Sequence, residues 1–560
     1  MGAGGPEHPD GYSLRARQSA DEIEGERGRF VAALKQIKAH LAAGQCYQVN
    51  YTQNSDFAFA GDVYALYERL RRLQPTAYSA LIHFGDGPLS DGEASNQKPR
   101  PPRAVLSLSP ELFFEFGPTR DADKNSDYIL ETRPMKGTAP RHRDPELDQI
   151  SREFLARDPK TLAEHRMIVD LLRNDLGVYA RPGGVSVPEM LSLESHDTVH
   201  QMTSLVRARL PAEMNSRLFR DIFRAIFPCG SITGAPKLAA RKIIAQLEAG
   251  PRGVYTGAIG YATPECARFN VAIRTLAING ARATYGSGCG IVWDSGADAE
   301  WQENRLKQAF LRPALDDFAL IETIMFDGAR FVLLDEHLER LEASARHYQI
   351  EWDDRRLLKV LHECAAANQG RALRARSTVD RNGNCKLSYV SWPHPFQDLS
   401  PDLRISGPGG RVAGETRYAI DAEAQPLRLA AERVYSGDPF RRHKTTERHI
   451  YDRELEAARA AGFSDSLFLN ERGEVVESAI ANLLIQTPGG EWLTPAVDCG
   501  ALPGVFLAGL TGSGPGRVKY VRLTLKQALS AGRWYLVNSL RGAWPVQWKR
   551  QSGASNFTVR

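Results

Sequence analysis

The sequence predicts a two-domain protein of the α+β / α/β class, and three observations carry that prediction. A chain of 560 residues is too long for a single hydrophobic core. Its content of 42% hydrophobic and 25% charged residues is that of an ordinary globular protein. Helix and strand patterns alternate up to "ENRLKQAFLRPALDD" and then start again, which places a boundary near residue 313. The expected organisation is a disordered leader over 1–28, a first domain over 29–313 and a second over 314–560.

Each element has its own reason. "MGAGGPEHPDGYSLRARQ" has no apolar run and reads as a disordered leader. "RFVAALKQIKAHLAAG" spaces its apolar residues by three and four and stops at Gly44, as an amphipathic helix does. "RAVLSLSPELFFEFG" reads as a strand pair broken at Ser-Pro, and "EHRMIVDLLRNDLG" as a helix ended by Gly177. The polar stretches 85–102 and 118–127 read as surface loops. In the second domain, "FALIETIMFDGARFVLLDEHLERLEASARHY" predicts strand, Asp-Gly hairpin, strand and helix.

Composition removes several function classes. A net charge of +4, without a basic stripe or tail, argues against nucleic-acid binding. No apolar run reaches the 18 residues of a membrane span. The seven cysteines (46, 229, 266, 289, 364, 385 and 499) form no CxxC pair and leave one over, which points to a reducing, cytoplasmic setting rather than to disulfides or zinc.

Chemistry concentrates in a few stretches. "AEWQENRLKQAF" puts Glu300, Glu303 and Lys307 on one helical face, where two neighbouring carboxylates suit Mg²⁺, with Glu164 as a third ligand; a solvated Glu/Lys helix surface is the plainer alternative. "IFPCGSITGAPKLAARK" runs a glycine-rich loop into a helix. Its free N–H groups, with Gly234 and Lys237, make a site for a carboxylate, and the nucleotide P-loop order is absent. Arg274 in "AIRTL" and the backbone of "GSGCGIV", including Gly290, suit a second carboxylate, although a structural ion pair explains such an arginine equally well. Cys289 lies in that strand-like word, without the helix that a nucleophile elbow requires. Lys136, in "LETRPMKGTAPR", puts an ammonium at the end of an otherwise buried strand. Lys444 and Glu477, 33 residues apart, are a pair that can hold the aldehyde and the ring nitrogen of pyridoxal phosphate, though taken alone such a pair is ordinary surface chemistry.

The words "CYQVNYT", "SPELFFEF", "RPMKGT", "MIVDLLRNDLG", "PCGSITGAPK", "YTGAIGY", "AIRTL" and "AEWQEN" occur in the order of the chorismate-utilising enzymes. Residues from about 29 to 311 resemble component I of the aminodeoxychorismate synthases. The resemblance implies a β-sandwich with flanking helices, an N-terminal part of which this sequence lacks. It implies that Lys136 is a covalent nucleophile toward chorismate and Glu111 the acid for the departing hydroxyl. It further implies that Glu164, Glu300 and Glu303 hold Mg²⁺, and that Gly234, Lys237, Tyr255, Arg274, Gly290 and Lys307 surround the substrate. His165 stands where the family commonly has Asn, and Gln201 where anthranilate synthases have His, so His200 receives no acid role.

"LIETI…LDEHLERL", "HKTTERHIYD", "NERGEVVESAIANLL", "LTPAVDCGALPGV" and "VNSLRG" resemble the fold-type IV pyridoxal phosphate enzymes over 317–545, aminodeoxychorismate lyases most of all. That resemblance implies Lys444 as the cofactor lysine and base and Glu477 at the ring nitrogen. Arg340, Gly504, Val505, Asn538 and Ser539 then lie around the phosphate, and Leu507 stands where an arginine is common. Together the domains are expected to turn chorismate and ammonia into 4-aminobenzoate. No glutaminase motif is present, so a separate glutamine amidotransferase is the expected ammonia source, and a homodimer through the second domain is expected by the same resemblance. The rival readings are an anthranilate- or isochorismate-type synthase fused to a class IV amino-acid aminotransferase, and an inactive scaffold for an amidotransferase.

Overall fold

In the computed structural model of the protein, the residues described are 12–17, 20–84, 103–118, 128–141, 145–195, 199–210, 216–263, 265–392, 423–510 and 518–549. The chain divides into two compact units, Met1–Asp316 and Asp317–Arg560.

The first unit begins with β1 (Tyr12–Ala16), α1 (Ala20–Ala42), β2 (Gln48–Gly61), α2 (Val63–Leu73), β3 (Tyr78–His83), β4 (Arg103–Ser109) and β5 (Leu112–Pro118). It continues through β6 (Tyr128–Arg133), β7 (Met135–Pro140), α3 (Pro145–Arg157), α4 (Pro159–Gly177), β8 (Val185–Ser195), β9 (Val199–Leu210) and α5 (Ser216–Ile226). Last come β10 (Gly234–Ala235), α6 (Lys237–Leu247), β11 (Ala258–Ala262), β12 (Ala267–Val271), β13 (Thr275–Asn279), β14 (Arg282–Ile291) and α7 (Ala297–Leu306). One sheet runs β1-β2-β14-β13-β4-β3, with β10 also on β2; the other runs β11-β12-β5-β6-β9-β7, with β8 on β9. Apolar spacing explains how helices cover them. Phe30, Leu34 and Ile37 of α1, three and four apart, pack with Ala240, Ile243 and Trp301 over Val49 and Ile291. Ile168, Leu172 and Leu176 of α4 do the same with Ile222 over Phe114 and Val206. Burying each such side chain contributes about 1.5–3 kcal/mol.

Two strand successions change sheet. β4 pairs with β13 and β3 while β5 pairs with β12 and β6, so the expected strand pair at Ser-Pro is a crossing between sheets. The corner is held by the Ser109 hydroxyl, which donates to the Val271 carbonyl at 2.6 Å and accepts the Glu111 N–H at 3.2 Å. β12 and β13 cross in the same way, with Arg274 between them at φ +49°.

The leader needs correction. Residues 1–11 and 18–19 lie outside the described residues, but Tyr12–Ala16 is an edge strand paired with Phe57–Gly61. Tyr12 and Leu14 are buried in the core beside Phe57 and Phe59, because two alternate apolar side chains suffice to seat a short strand. The helix likewise starts at Ala20, earlier than its apolar run. The polar stretches 85–102 and 119–127 lie outside the described residues.

The second unit contains β15 (Ala319–Phe326), α8 (Leu334–His347), α9 (Asp354–Ala367), β16 (Leu373–Asp380), β17 (Cys385–Ser391), β18 (Gln425–Leu429), α10 (His449–Ala460), β19 (Asp465–Leu469) and β20 (Val475–Ser478). It closes with β21 (Asn482–Gln486), β22 (Trp492–Pro495), α11 (Val505–Ala508), β23 (Val518–Val521), α12 (Leu525–Ala531), β24 (Arg533–Asn538) and β25 (Gly542–Trp548). A three-stranded sheet, β15-β16-β17, and an eight-stranded sheet, β20-β19-β18-β25-β24-β21-β22-β23, make up its frame. The expected Asp-Gly hairpin is reduced to one bridge, Phe326 to Phe331, since β15 spends its ladder on β16. Among the described residues no helix is long and apolar enough to cross a membrane.

Candidate active sites

The two sheet crossings build the first site. Glu111 sits at one corner, 5% exposed, and burial raises its carboxyl to about 6 even though the Ser231 hydroxyl donates to it at 2.8 Å and Lys136 and Lys307 stabilise its charge. Arg274 sits at the other corner. Burial lowers its pKa, and its guanidinium has no ion pair among the described residues.

Lys136 lies on β7 opposite Met202 of β9, followed by a bulge at Gly137. Gly137 has φ +77°, and a β-carbon there would meet Thr161 Cγ2 at 2.3 Å, so only glycine lets β7 close on α4. The Lys136 ammonium has no hydrogen bond or ion pair among the described residues, yet its charge acts on Glu111, Glu164, His165 and Glu303. His165 is fully buried with a hydrogen bond to Ser204 at 2.7 Å; burial, and then Lys136, push its pKa down to about 4, so it is neutral. His200 is engaged elsewhere, with Ser195 at 2.8 Å and Asp148 at 3.1 Å.

Glu300 and Glu303 converge, and a shared lysine links Glu164 to Glu300. Glu300, 2% exposed, accepts from Ser295 at 2.7 Å and from the Lys160 ammonium at 3.0 Å; the same ammonium lies 3.9 Å from Glu164. Glu303 pairs with Lys307 at 2.8 Å, and chiefly for that reason its pKa is lowered. Burial raises Glu164, against the pull of Lys136 and Lys160. The fit to Mg²⁺ rests on this donor set: Glu300 and Glu303 come within 4.8 Å of each other, and the Lys160 ammonium between Glu300 and Glu164 stands in for an ion. Cys289 comes within 4.8 Å of Glu300 and Glu303 but is wholly buried, and burial holds its thiol well above the ordinary range, so its strand position carries no nucleophile.

The residues expected around a substrate separate into different settings. Tyr255 is buried, with its hydroxyl pushed up to about 12, and lies against Gly286, where a β-carbon would meet its ring at 2.2 Å. Lys307 donates to the Gly288 carbonyl at 2.7 Å. Gly290 leaves room for Gln48, whose buried amide has no hydrogen bond among the described residues. Gly234, at φ +130°, is needed for close approach, since a β-carbon would lie 2.2 Å from the Gln48 carbonyl. Lys237 corrects the expectation. Its ammonium is held by Asp175 at 2.7 Å and the Ile226 carbonyl at 3.0 Å, tying α6 to α4 instead of facing an anion, because Asp175 offers it a buried carboxylate at the end of α4.

In the second unit one pocket is lined by Arg340, Lys444, Glu477, Gly504, Val505, Asn538 and Ser539 together. Lys444 is positioned by its carbonyl, which accepts from Ile321 of β15 at 2.8 Å. Its amine has no partner among the described residues; burial lowers it to about 8, with Arg340 acting in the same direction. Glu477 faces Asn482 across β20 and β21, and accepts from Tyr451 at 2.6 Å, Leu502 N–H at 3.0 Å and Asn482 at 3.1 Å. Burial nevertheless raises it to about 7. Arg340 is clamped by Glu322 at 2.8 and 2.6 Å and donates to the Pro503 carbonyl at 3.1 Å. Three of its five N–H donors are thus used, and two remain for the pocket. The Asn538 amide is spent on its turn, accepting from Leu540 and Arg541, whereas the Ser539 hydroxyl has no partner among the described residues. A β-carbon at Gly504 would come within 2.0 Å of Asn482 Oδ1, so the backbone lies close to the pocket wall. An unpaired amine and a buried, triply hydrogen-bonded carboxylate in one pocket fit pyridoxal phosphate. Leu507 packs into the core with Phe506 and Leu510.

Sequence reasoning missed Ser231, Lys160, Tyr451, Glu322 and Asn482. All of them except Lys160 lay inside the quoted words, but nothing local marks which side chain each supports.

Comparisons with known proteins find two families along the chain. Residues 3–313 match the family described as chorismate binding enzyme, and residues 319–547 the one described as amino-transferase class IV. Aminodeoxychorismate synthase component 1 of Klebsiella aerogenes is 41% identical over 291 residues, covering 52% of this chain and 56% of that protein. Its counterpart in Salmonella typhimurium is 39% identical over 279 residues, covering 50% of this chain and 55% of that protein. The structure of anthranilate synthase component I from Streptococcus pneumoniae TIGR4 aligns with a TM-score of 0.43 at 29% identity, over 54% of this chain and 60% of that one. The chain spans about half the length of the curated relatives it matches. Because the first match extends over more than half of its residues, the chain belongs to the chorismate binding enzyme family, and it carries an amino-transferase class IV domain behind that one.

Proposed function

We propose that the chain makes 4-aminobenzoate in two steps, amination of chorismate to 4-amino-4-deoxychorismate in the first unit and elimination of pyruvate in the second. The observation that carries the first step is the Lys136 amine, unpaired among the described residues yet within the field of Glu111, Glu164 and Glu303. A nucleophilic amine must be free of competing partners and must give up its proton before it attacks. On this reading the amine adds to C2 of the ring while the C4 hydroxyl leaves as water, taking the proton of Glu111. Ammonia then adds at C4, lysine departs, and the proton balance returns to Glu111. Arg274 and Lys307 receive the carboxylates. Glu164, Glu300 and Glu303 would hold Mg²⁺, which offsets the charge of a dianion entering among glutamates.

For the second step Lys444 would bind pyridoxal phosphate and Glu477 would face its ring nitrogen; the cofactor supplies the electron sink for the elimination. Lys444, lowered to about 8, takes the C4 proton of the ring, and Tyr451 and Asn482 keep the Glu477 carboxylate aligned. Ammonia would come from a separate glutamine amidotransferase, in the cytoplasm, with the second unit as the place for a homodimer contact. Incubation with chorismate, ammonium and Mg²⁺ tests the reading. 4-Amino-4-deoxychorismate is expected without pyridoxal phosphate and 4-aminobenzoate with it; anthranilate or isochorismate would refute it.

A further inference from the structure

Lys160 is not among the residues that the proposed reaction uses, yet its ammonium stands between two of the carboxylates, Glu300 and Glu164. It projects from the first turn of α4, behind the Asp158 cap, and shares a helix face with Glu164. Its stem is partly open to solvent, with 44% of the side chain exposed, while its tip reaches Glu300, only 3% exposed, at 3.0 Å. Burial works against its charge, but Glu300, Glu164 and Glu303 outweigh burial and keep it an ammonium. Three carboxylates are therefore faced by three ammonium groups, since Lys136 acts on Glu164 and Glu303, and Lys307 pairs with Glu303. As it stands the assembly is close to neutral and has little net attraction for a divalent ion. A hard cation bridging Glu300 and Glu164 would have to occupy the space now filled by Nζ, because its carboxylate oxygens must come to about 2.0–2.1 Å for Mg²⁺.

We propose that Lys160 is a tethered competitor for the divalent-cation position, its ammonium seated between Glu164 and Glu300 until a metal ion displaces it and the side chain swings into solvent. The inference rests on the metal reading given under the proposed function. It accounts for how Glu164 and Glu300 stay close in the absence of metal, where their repulsion would otherwise spread them. It also makes binding of metal and of an anionic substrate mutually reinforcing: the substrate's negative charge supplies the attraction that Lys160 cancels.

The test needs no turnover. Mn²⁺, which takes the same oxygen ligands as Mg²⁺, is titrated into the full chain without substrate at low ionic strength, and free Mn²⁺ is followed by its electron paramagnetic resonance signal. Lys160→Met should bind Mn²⁺ about tenfold or more tightly than the wild type, a change that one unscreened unit charge readily supplies. Lys160→Arg, which keeps the charge, should stay within about twofold of wild type on the same electrostatic argument. Lys160→Gln replaces the methionine chain should that one fail to fold. Equal or weaker binding by the neutral variants overturns the competitor role alone. Absence of Mn²⁺ binding by every chain overturns it together with the metal reading, so the two failures are distinguishable.

Discussion

Glu111 shows how a single residue's position becomes chemistry. Its corner between two sheets buries it, burial raises the carboxyl to about 6, and Ser231 restrains that rise. A general acid must be protonated to act, so Glu111 should contribute to the rate of the proposed first step a factor that falls about tenfold per pH unit above about 6. Glu111→Gln should cost about 10²–10⁴-fold in kcat for chorismate consumption and erase that limb of the profile, as steady-state rates across pH would read. Ser231→Ala removes a hydrogen bond that favours the ionised form and should move the limb to higher pH by about one unit, the size expected for a bond to a charged group. Lys136 was legible in the sequence because its neighbours Pro134, Met135 and Gly137 form a distinctive word. The support of Glu111 by a serine 120 residues away was not, since it exists only once α4, α5 and β5 have packed. Lys237 was misread for the same reason in reverse: a lysine opening a helix after glycines resembles an anion ligand until Asp175 is brought opposite it.

Among the elements, β7 and α4 depend on a backbone form that the sequence marks only with a glycine. Gly137→Ala would place a methyl group 2.3 Å from Thr161 Cγ2 at a φ of +77°. A loss of about 1–3 kcal/mol is expected, seen as a lowered Tm, with chorismate consumption falling further than stability explains because Lys136 is the next residue. Helices were legible here wherever their apolar stripe was long, as in α1 and α4. Edges were not. Tyr12–Ala16 has too few residues for alternation to register, and it is a strand because the exposed ladder of β2 receives it. The hairpin expected after Phe326 gave way to β16, whose whole length pairs with β15, since eight ladder positions outweigh a local turn signal.

At the scale of the whole molecule, the proposed reading gives each unit its own set of reacting groups. Lys136→Ala should therefore abolish chorismate consumption while leaving conversion of supplied 4-amino-4-deoxychorismate unchanged. Lys444→Ala should accumulate that intermediate and lose the visible absorbance of lysine-bound pyridoxal phosphate, and mixing the two variants should restore 4-aminobenzoate, as chromatography of the products would show. The central claim is the bond from Lys136 to the ring. Peptide mass spectrometry of the chain quenched with chorismate and Mg²⁺ in the absence of ammonia tests it most directly. The account predicts chorismate less one water on the peptide bearing Lys136 and nothing on the Lys136→Ala chain; an unmodified peptide from a chain that turns over once ammonia is added would contradict it.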